Sequence, residues 1–282
     1  MIKFSQDNHQ YESIDPQNAV DWIGITSFVG TFKQPFNAEY TSEKVAKNTR
    51  SKWYGKAPSE IREIWNREGK RSLELGNWFH SKEEVDILSN DTYKVEGQEL
   101  IVIRPLVDDD AKYAPDQLLK EGHIYPEHFV YLQSSGICGQ SDRVEVLNTK
   151  VNVRDYKTSK VIKTEGFTTW EGITQRMTDP ISHLDDCHIV HYSLQLSLYL
   201  YMILKHNPQL TPGILMLDHI IFEQDGEDEY GYPLYKKENG NYIIKDINQY
   251  KIPYLKTEVI SMLTYLKDNR ELVKARIKLN KN

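Results

Sequence analysis

The chain has little cysteine, no long apolar run and no low-complexity stretch. Cys138 and Cys187 are its only cysteines in 282 residues. Two thiols are too few for a four-cysteine zinc site or iron–sulfur cluster, and they give no disulfide framework. No segment approaches the roughly 18 consecutive apolar residues of a membrane-spanning helix. The first residues, Met1-Ile2-Lys3-Phe4-Ser5-Gln6, lack the apolar stretch of a secretory signal. Basic charge is also in deficit. Lys plus Arg total 35 against 41 acids, a net charge of -6, which at first sight argues against a nucleic-acid partner. The expectation is a soluble cytoplasmic protein with no membrane contact.

What is present is enough apolar matter for a full core. Hydrophobic residues make up 39% and aromatic residues 11%, with 18 tyrosines, and disordered chains are depleted in aromatics. At this length roughly three quarters of the unfolded surface can be buried. We expect a single domain over 1–282, with 1–70 as a mainly helical, basic N-terminal part.

The periodicities support an α/β (α+β) arrangement with a central mixed sheet flanked by helices. A helical pattern opens at Pro58-Ser59-Glu60 and runs to about Leu88, with a break near Gly69. Strand patterns cover 99–104, 128–133, 137–147 and 150–158, and 107–121 reads as an acidic loop. Residues 161–186 form a long irregular loop, a class that is often functional. The segment 189–205 is apolar on nearly every side, as a helix buried between layers would be. A strand over 213–223, an acidic tip, a pair of short Tyr-rich strands and an amphipathic helix over 257–279 complete the pattern.

One hairpin carries chemistry. A two-residue turn at Asn148-Thr149 sets Leu147 opposite Lys150 and, in the same register, Asp142 opposite Asp155. Opposed residues have Cβ atoms roughly 4.5–5.5 Å apart. The two-residue period puts Asp142 with Val144 and Val146, and Asp155 with Val151, Val153 and Lys157. Two carboxylates and a lysine thus meet at the end of an apolar face. Such carboxylates repel and are costly to desolvate unless a cation lies between them, and Mg²⁺ is held in this way. The same spacing also fits an exposed hairpin with Asp–Lys pairs.

Three strings stand in order along the chain. The first is Gly76-Asn77-Trp78-Phe79-His80-Ser81-Lys82-Glu83-Glu84. The second joins Gly139-Gln140-Ser141-Asp142-Arg143 to Asp155-Tyr156-Lys157-Thr158. The third is Gln195-Leu196-Ser197-Leu198-Tyr199. Together they resemble the PD-(D/E)XK nucleases of the RecB-type branch, with its G-x-x-x-H-x-x-x-E, G-x-x-D-R, D-Y-K-T and Q-x-x-x-Y patterns. The resemblance covers residues 76–199 and is nearest to phage and mitochondrial genome-maintenance exonucleases. It implies a restriction-endonuclease-like core and hydrolysis of DNA phosphodiester bonds with Mg²⁺ or Mn²⁺, one or two ions.

The implied metal ligands are Asp142, Asp155, the carbonyl of Tyr156 and His80. Lys157 would position the attacking water or help deprotonate it. Gln195 and Tyr199 would support the lysine, a metal-bound water or a phosphate. Glu84 and Glu127 are further candidates, Glu127 because the family often carries an acid there. Relatives with an iron–sulfur cluster use four cysteines, so no such cluster is expected. An endonuclease with the same core, or a non-catalytic DNA-binding or virion module, would share these patterns. For a phage-encoded chain the location would be the host cytoplasm.

The net charge hides an uneven distribution. Residues 44–71 hold nine bases and three acids, interleaved with Trp53, Tyr54 and Trp65. Basic and aromatic residues together can follow phosphates and stack on unpaired bases. Lys47, Arg50, Lys52, Trp53, Arg67, Lys70 and Arg71 are the expected DNA contacts, although charge runs are also common on solvated helix faces.

Overall fold

The computed structural model describes residues 2–5, 10–14, 17, 19–108, 111–113 and 117–281. The N-terminal third contains β1 (Ile2–Ser5), β2 (Gln10–Ser13), β3 (Ile23–Gly24), α1 (Ile25–Gly30), α2 (Ala38–Lys47) and α3 (Pro58–Leu88). Then come β4 (Thr92–Val95), β5 (Gln98–Val102), β6 (Leu106–Asp108), β7 (Ala111–Tyr113), β8 (His123–Leu132), β9 (Ile137–Leu147) and β10 (Lys150–Lys157). After a long connection follow α4 (His188–His206) and β11 (Thr211–Phe222). Four short strands come next: β12 (Gln224–Glu227), β13 (Pro233–Tyr235), β14 (Lys237–Glu238) and β15 (Asn241–Tyr242). The last elements are β16 (Ile244–Ile252), α5 (Lys256–Asp268) and α6 (Arg270–Lys281).

The fold is α/β. The central mixed sheet has the order β16-β11-β10-β9-β8-β5-β4, and β3 pairs with β9. The β10–β11 and β5–β8 pairs are parallel; the other pairs on this path are antiparallel. The turn between β9 and β10 has Asn148 at φ 48° and Thr149 at φ 64°. Two successive positive φ values mark the type I′ turn that matches strand twist and fixes hairpin register. The register runs as expected, Leu147 opposite Lys150 through Arg143 opposite Arg154.

The two faces of the sheet are covered differently. On one face α4 lies between the strands and the helices α1 and α5, so Leu194, Leu196, Leu198, Leu200 and Met202 are all buried. That double covering explains an apolar character all round the helix. On the other face α3 packs through Leu75 and Phe79 onto Tyr156, Ile220 and Phe222. Further along, Ile87 of α3 packs with Val95, Leu100, Val102, Ile124 and Leu147.

Several expectations need correction. α3 is continuous through Gly69; Pro58 at its first turn presets φ, and a single interior glycine costs only about 1 kcal/mol. The N-terminal part is not mainly helical from its start, because β1 and β2 precede the helices. They join β6 and β7, inside the expected acidic loop, in a separate four-stranded sheet; Asp109, Asp110 and 114–116 lie outside the described residues. β8 begins at His123, so Glu127 sits within a strand and not ahead of one. The C-terminal helix divides at Asn269, whose backbone N–H bonds back to Tyr265. β16 is mostly exposed along its length, so its sequence carries little apolar signal.

Candidate metal centre

Strand register builds the centre. In the β8–β9 ladder Pro126 faces Arg143 and His128 faces Ser141, so Glu127 falls opposite Asp142. In the β9–β10 ladder Arg154 faces Arg143, so Asp155 falls next to Asp142 on its other side. Three carboxylates therefore stand in a row across three adjacent strands. The ladder of β10 with β9 ends at Arg154, and beyond it the N–H of Tyr156 donates to Asp142 Oδ2 at 2.7 Å.

His80 reaches the row from α3, one residue past the Phe79 ring that packs on Tyr156. Its Nδ1 lies 3.4 Å from Asp142 Oδ1 and 3.9 Å from Glu127 Oε1. One ligand atom from each of His80, Glu127 and Asp142 can be chosen so that all lie within 4.8 Å of one another. Asp155 is held beside this group by an ion pair with Lys157 and by Gln195, whose Nε2 donates to Asp155 Oδ1 at 3.2 Å. Lys157 Nζ also donates to the Tyr156 carbonyl at 3.3 Å. Its ammonium lies 5.0 Å from the centre of the Tyr192 ring.

The electrostatics follow from burial and proximity. Burial opposes charge on His80, yet Asp142 and Glu127 outweigh it and lift the imidazole to about 11. Burial raises Asp155 to about 6; Lys157 offsets part of that rise and the Asp142 charge adds to it. Asp142 is held below its ordinary value, because His80, Lys157 and the Tyr156 N–H overcome desolvation. Lys157 is raised despite burial by Asp155 and Asp142. Without a metal, the proton on His80 and the ammonium of Lys157 are the cations that neutralise the acidic row.

The donor set fits a hard divalent ion. Carboxylate and carbonyl oxygens suit Mg²⁺, Ca²⁺ and Mn²⁺, and one imidazole inclines the set toward Mn²⁺. His80, Asp142 and Glu127 would hold such an ion, with Asp155 and the Tyr156 carbonyl adjoining.

Most of the expected site residues converge. His80, Glu127, Asp142, Asp155, Tyr156, Lys157 and Gln195 form one connected cluster. Tyr199 stands one step back: its hydroxyl accepts from Gln195 at 3.4 Å. Glu84 lies one turn beyond His80 on α3 and is not in the converging group.

The structure also gives reasons for residues that a motif leaves unexplained. A Cβ on Gly139 would meet Tyr199 Cε1 at 2.8 Å, so the glycine lets the tyrosine ring lie against β9. Arg143 points to the opposite face from Asp142. There Arg143 Nη2 lies 2.5 Å from Glu145, and Arg154 bridges Glu145 and Asp218, each at 3.5 Å. Tyr192 is a site neighbour that sequence reading missed; its position three residues before Gln195, on the same helix, was the available signal.

The basic segment is corrected more heavily. Trp53 is 7% exposed and packs with Ile61 and Ile64. Its ring stacks on Tyr230 with centroids 6.0 Å apart, so it cannot serve as a base platform in this fold. Arg71 pairs with Glu68 and Asp228 at 3.0 and 3.2 Å and bonds the Pro233 carbonyl. It fastens the β12–β13 hairpin to α3. Lys52 bonds the Tyr230 carbonyl and lies over the Trp53 and Tyr232 rings. Arg67 lies 5.4 Å from the Tyr230 ring centre. Lys47, Arg50 and Lys70 remain exposed.

Both cysteines are buried free thiols. No helix among the described residues is long and apolar enough to cross a membrane.

No protein-family description and no curated protein matches the chain. A crystal structure of SSO0001 is similar at 13% identity, covering 91% of this chain and 78% of that one, with a TM-score of 0.33. A likeness at that score carries no argument about function.

Proposed function

We propose that this chain is a Mg²⁺- or Mn²⁺-dependent deoxyribonuclease that hydrolyses DNA phosphodiester bonds, acting as an exonuclease in DNA replication or recombination. The observation that carries the reading is the convergence of His80, Glu127 and Asp142 within 4.8 Å, beside an Asp155 gripped by Lys157 and Gln195. A buried row of carboxylates contributes nothing to a core and costs free energy unless cations neutralise it. The exonuclease assignment rests on the resemblance of the three motifs.

A bound divalent ion would supply an activated water and neutralise charge on the scissile phosphate. The protein's own residues do the rest. Lys157 is kept protonated by Asp155 and Asp142, so it acts as a donor to the attacking water or a phosphate oxygen rather than as a base. Gln195 orients Asp155 through its amide and is itself steadied by the Tyr199 hydroxyl. The backbone N–H of Tyr156 locks one oxygen of Asp142, which leaves the other directed at His80.

The deciding experiment is digestion of end-labelled single- and double-stranded oligonucleotides with Mg²⁺, Mn²⁺ or EDTA. Metal-dependent shortening from an end is expected. Cleavage of closed circular DNA at a comparable rate would move the assignment to an endonuclease. Absence of cleavage under every metal would overturn it.

A further inference from the structure

Away from the metal centre, α4, α5 and the turn after β8 enclose an open cavity of about 490 Å³. That size lies within the roughly 300–1,000 Å³ of ligand sites. Ile260, Leu263, Thr264 and Lys267 line it from α5. Their spacing of three and four residues puts them on one helix face, while Val259 and Met262 of the same helix are buried in the core. Tyr201 and Lys205, one turn apart, line it from α4, and Leu132, Ser134 and Ser135 close one end. Lys205 stands about 15 Å further along α4 than Gln195, so an occupant here leaves the metal centre open.

The charges in the cavity have one sign. Its charged lining residues are Lys205, Lys267 and Arg270, and no acid lines it. Among the described residues neither Lys205 nor Lys267 has a carboxylate partner, and Arg270 is held by carbonyls alone. Its Nη1 donates to Ser135 O at 2.9 Å and its Nη2 to Asp21 O. A Cβ at Gly136 would stand 2.5 Å from Arg270 Nη2, so the glycine makes room for the guanidinium. Lys205 and Lys267 each sit in the last turn of a helix. A helix C-terminus carries only about half a negative charge, so two such ends leave most of the three bases uncompensated.

The walls select among anions. Lys205 lies 5.2 Å from the centre of the Tyr201 ring, which also packs against the core. A nucleobase would therefore find no free ring to stack on, and its polar edges would meet leucines without partners. A bilayer surface is too flat to reach the floor. A short acidic peptide satisfies both parts. One bulky apolar side chain covers Leu132, Leu263 and Leu266, and its carboxylates meet the three bases as charge-assisted hydrogen bonds.

We propose that this cavity is a docking site for an acidic peptide segment of a partner protein, with its apolar residue on the leucine floor and its carboxylates on Lys205, Lys267 and Arg270. The site goes beyond the nuclease reading and does not depend on it.

The test is fluorescence polarisation of the full chain with fluorescein-labelled peptides Asp-Glu-Asp-Gly-X, where X is Leu, Phe or Trp. At least one should bind. Alanine at X should weaken that binding about tenfold, the range of one lost buried side chain. Lys-Lys-Lys-Gly-X should not bind. Lys205→Glu combined with Lys267→Glu should weaken binding about tenfold or more. Lys256→Glu, exposed on α5 but outside the cavity, should leave it unchanged. Thr264→Trp, made at an exposed position, should fill the cavity and weaken binding by a similar factor with every charge intact. Lack of binding by all three acidic peptides at about 1 mM overturns the site, as does equal binding of the basic peptides or an affinity that neither variant moves. It is also overturned if the variants instead lose binding to thymidine monophosphate, to an oligonucleotide or to phosphatidylglycerol vesicles, or lose a dimer in sedimentation. A chain that binds the peptide but cleaves no DNA under any metal overturns the nuclease reading alone.

Discussion

The acidic row on β8–β10 and the basic segment 44–71 are both dense in charge, and the fold treats them in opposite ways. In the row, like charges are forced together and buried: Asp142 is 8% exposed and Asp155 2%. In the segment, opposite charges and rings are paired off. Arg71 is spent on Glu68 and Asp228, and Trp53 on a small cluster with Ile61, Ile64 and Trp65. A cluster that satisfies itself needs no ligand. The row of acids is balanced in part by a histidine proton and by the Lys157 ammonium.

The largest expected effect is on the row. Asp142→Ala, Asp155→Ala and Lys157→Ala should each lower DNA hydrolysis by about a hundred- to a thousandfold, measured as single-turnover cleavage with Mn²⁺. Full activity in any of them would remove the row from the chemistry. On the other side, Trp53→Ala should act through folding. A loss of about 3–5 kcal/mol is expected for truncating a buried tryptophan, measured by urea unfolding. An unchanged midpoint with lost DNA binding would restore Trp53 as a contact and erase the contrast.

Proton exchange sharpens it further. In the metal-free state His80 stays protonated up to about pH 11 and Asp155 up to about 6. A bound ion needs both unprotonated, so affinity rises with pH. The slope of log Ka for Mn²⁺ should be about one per pH unit above 6, from His80, and approach about two below it, as Asp155 also gains a proton. Calorimetry across buffers reads both slopes; a pH-independent affinity would detach His80 from the metal.

Gly139→Ala should cost about 1–3 kcal/mol, because its Cβ would strike Tyr199 and overpack the site. The smallest effects are expected at Lys47→Ala and Arg50→Ala. Each would reduce the salt slope of DNA binding by about one if it meets a phosphate, with stability unchanged because both are exposed.

Much of the row was legible in sequence because hairpin register is a local property. Asn148-Thr149 sets the turn, the two-residue period sets the faces, and Asp142 opposite Asp155 follows without any distant contact. The apolar surround of α4 was legible for a similar reason: a helix with no polar face must be covered on both sides. Glu127 was harder to place. Its partner strand is joined through the one-turn helix Gln133–Ser135 and Gly136, and Pro126 masks the continuity of β8. β16 was missed because an edge strand with most side chains in solvent has no apolar period to read.

The chain's sequence therefore determined which residues could form a metal centre and which of them share a strand face. Tertiary structure decided which charges are free to work. Whether Arg71 meets a phosphate or Asp228, and whether Trp53 meets a base or Tyr230, depends on a hairpin more than 150 residues away in the chain. Charge and aromaticity are properties of a residue. Availability is a property of its neighbours, and burial leaves a charge only the partners the fold brings to it.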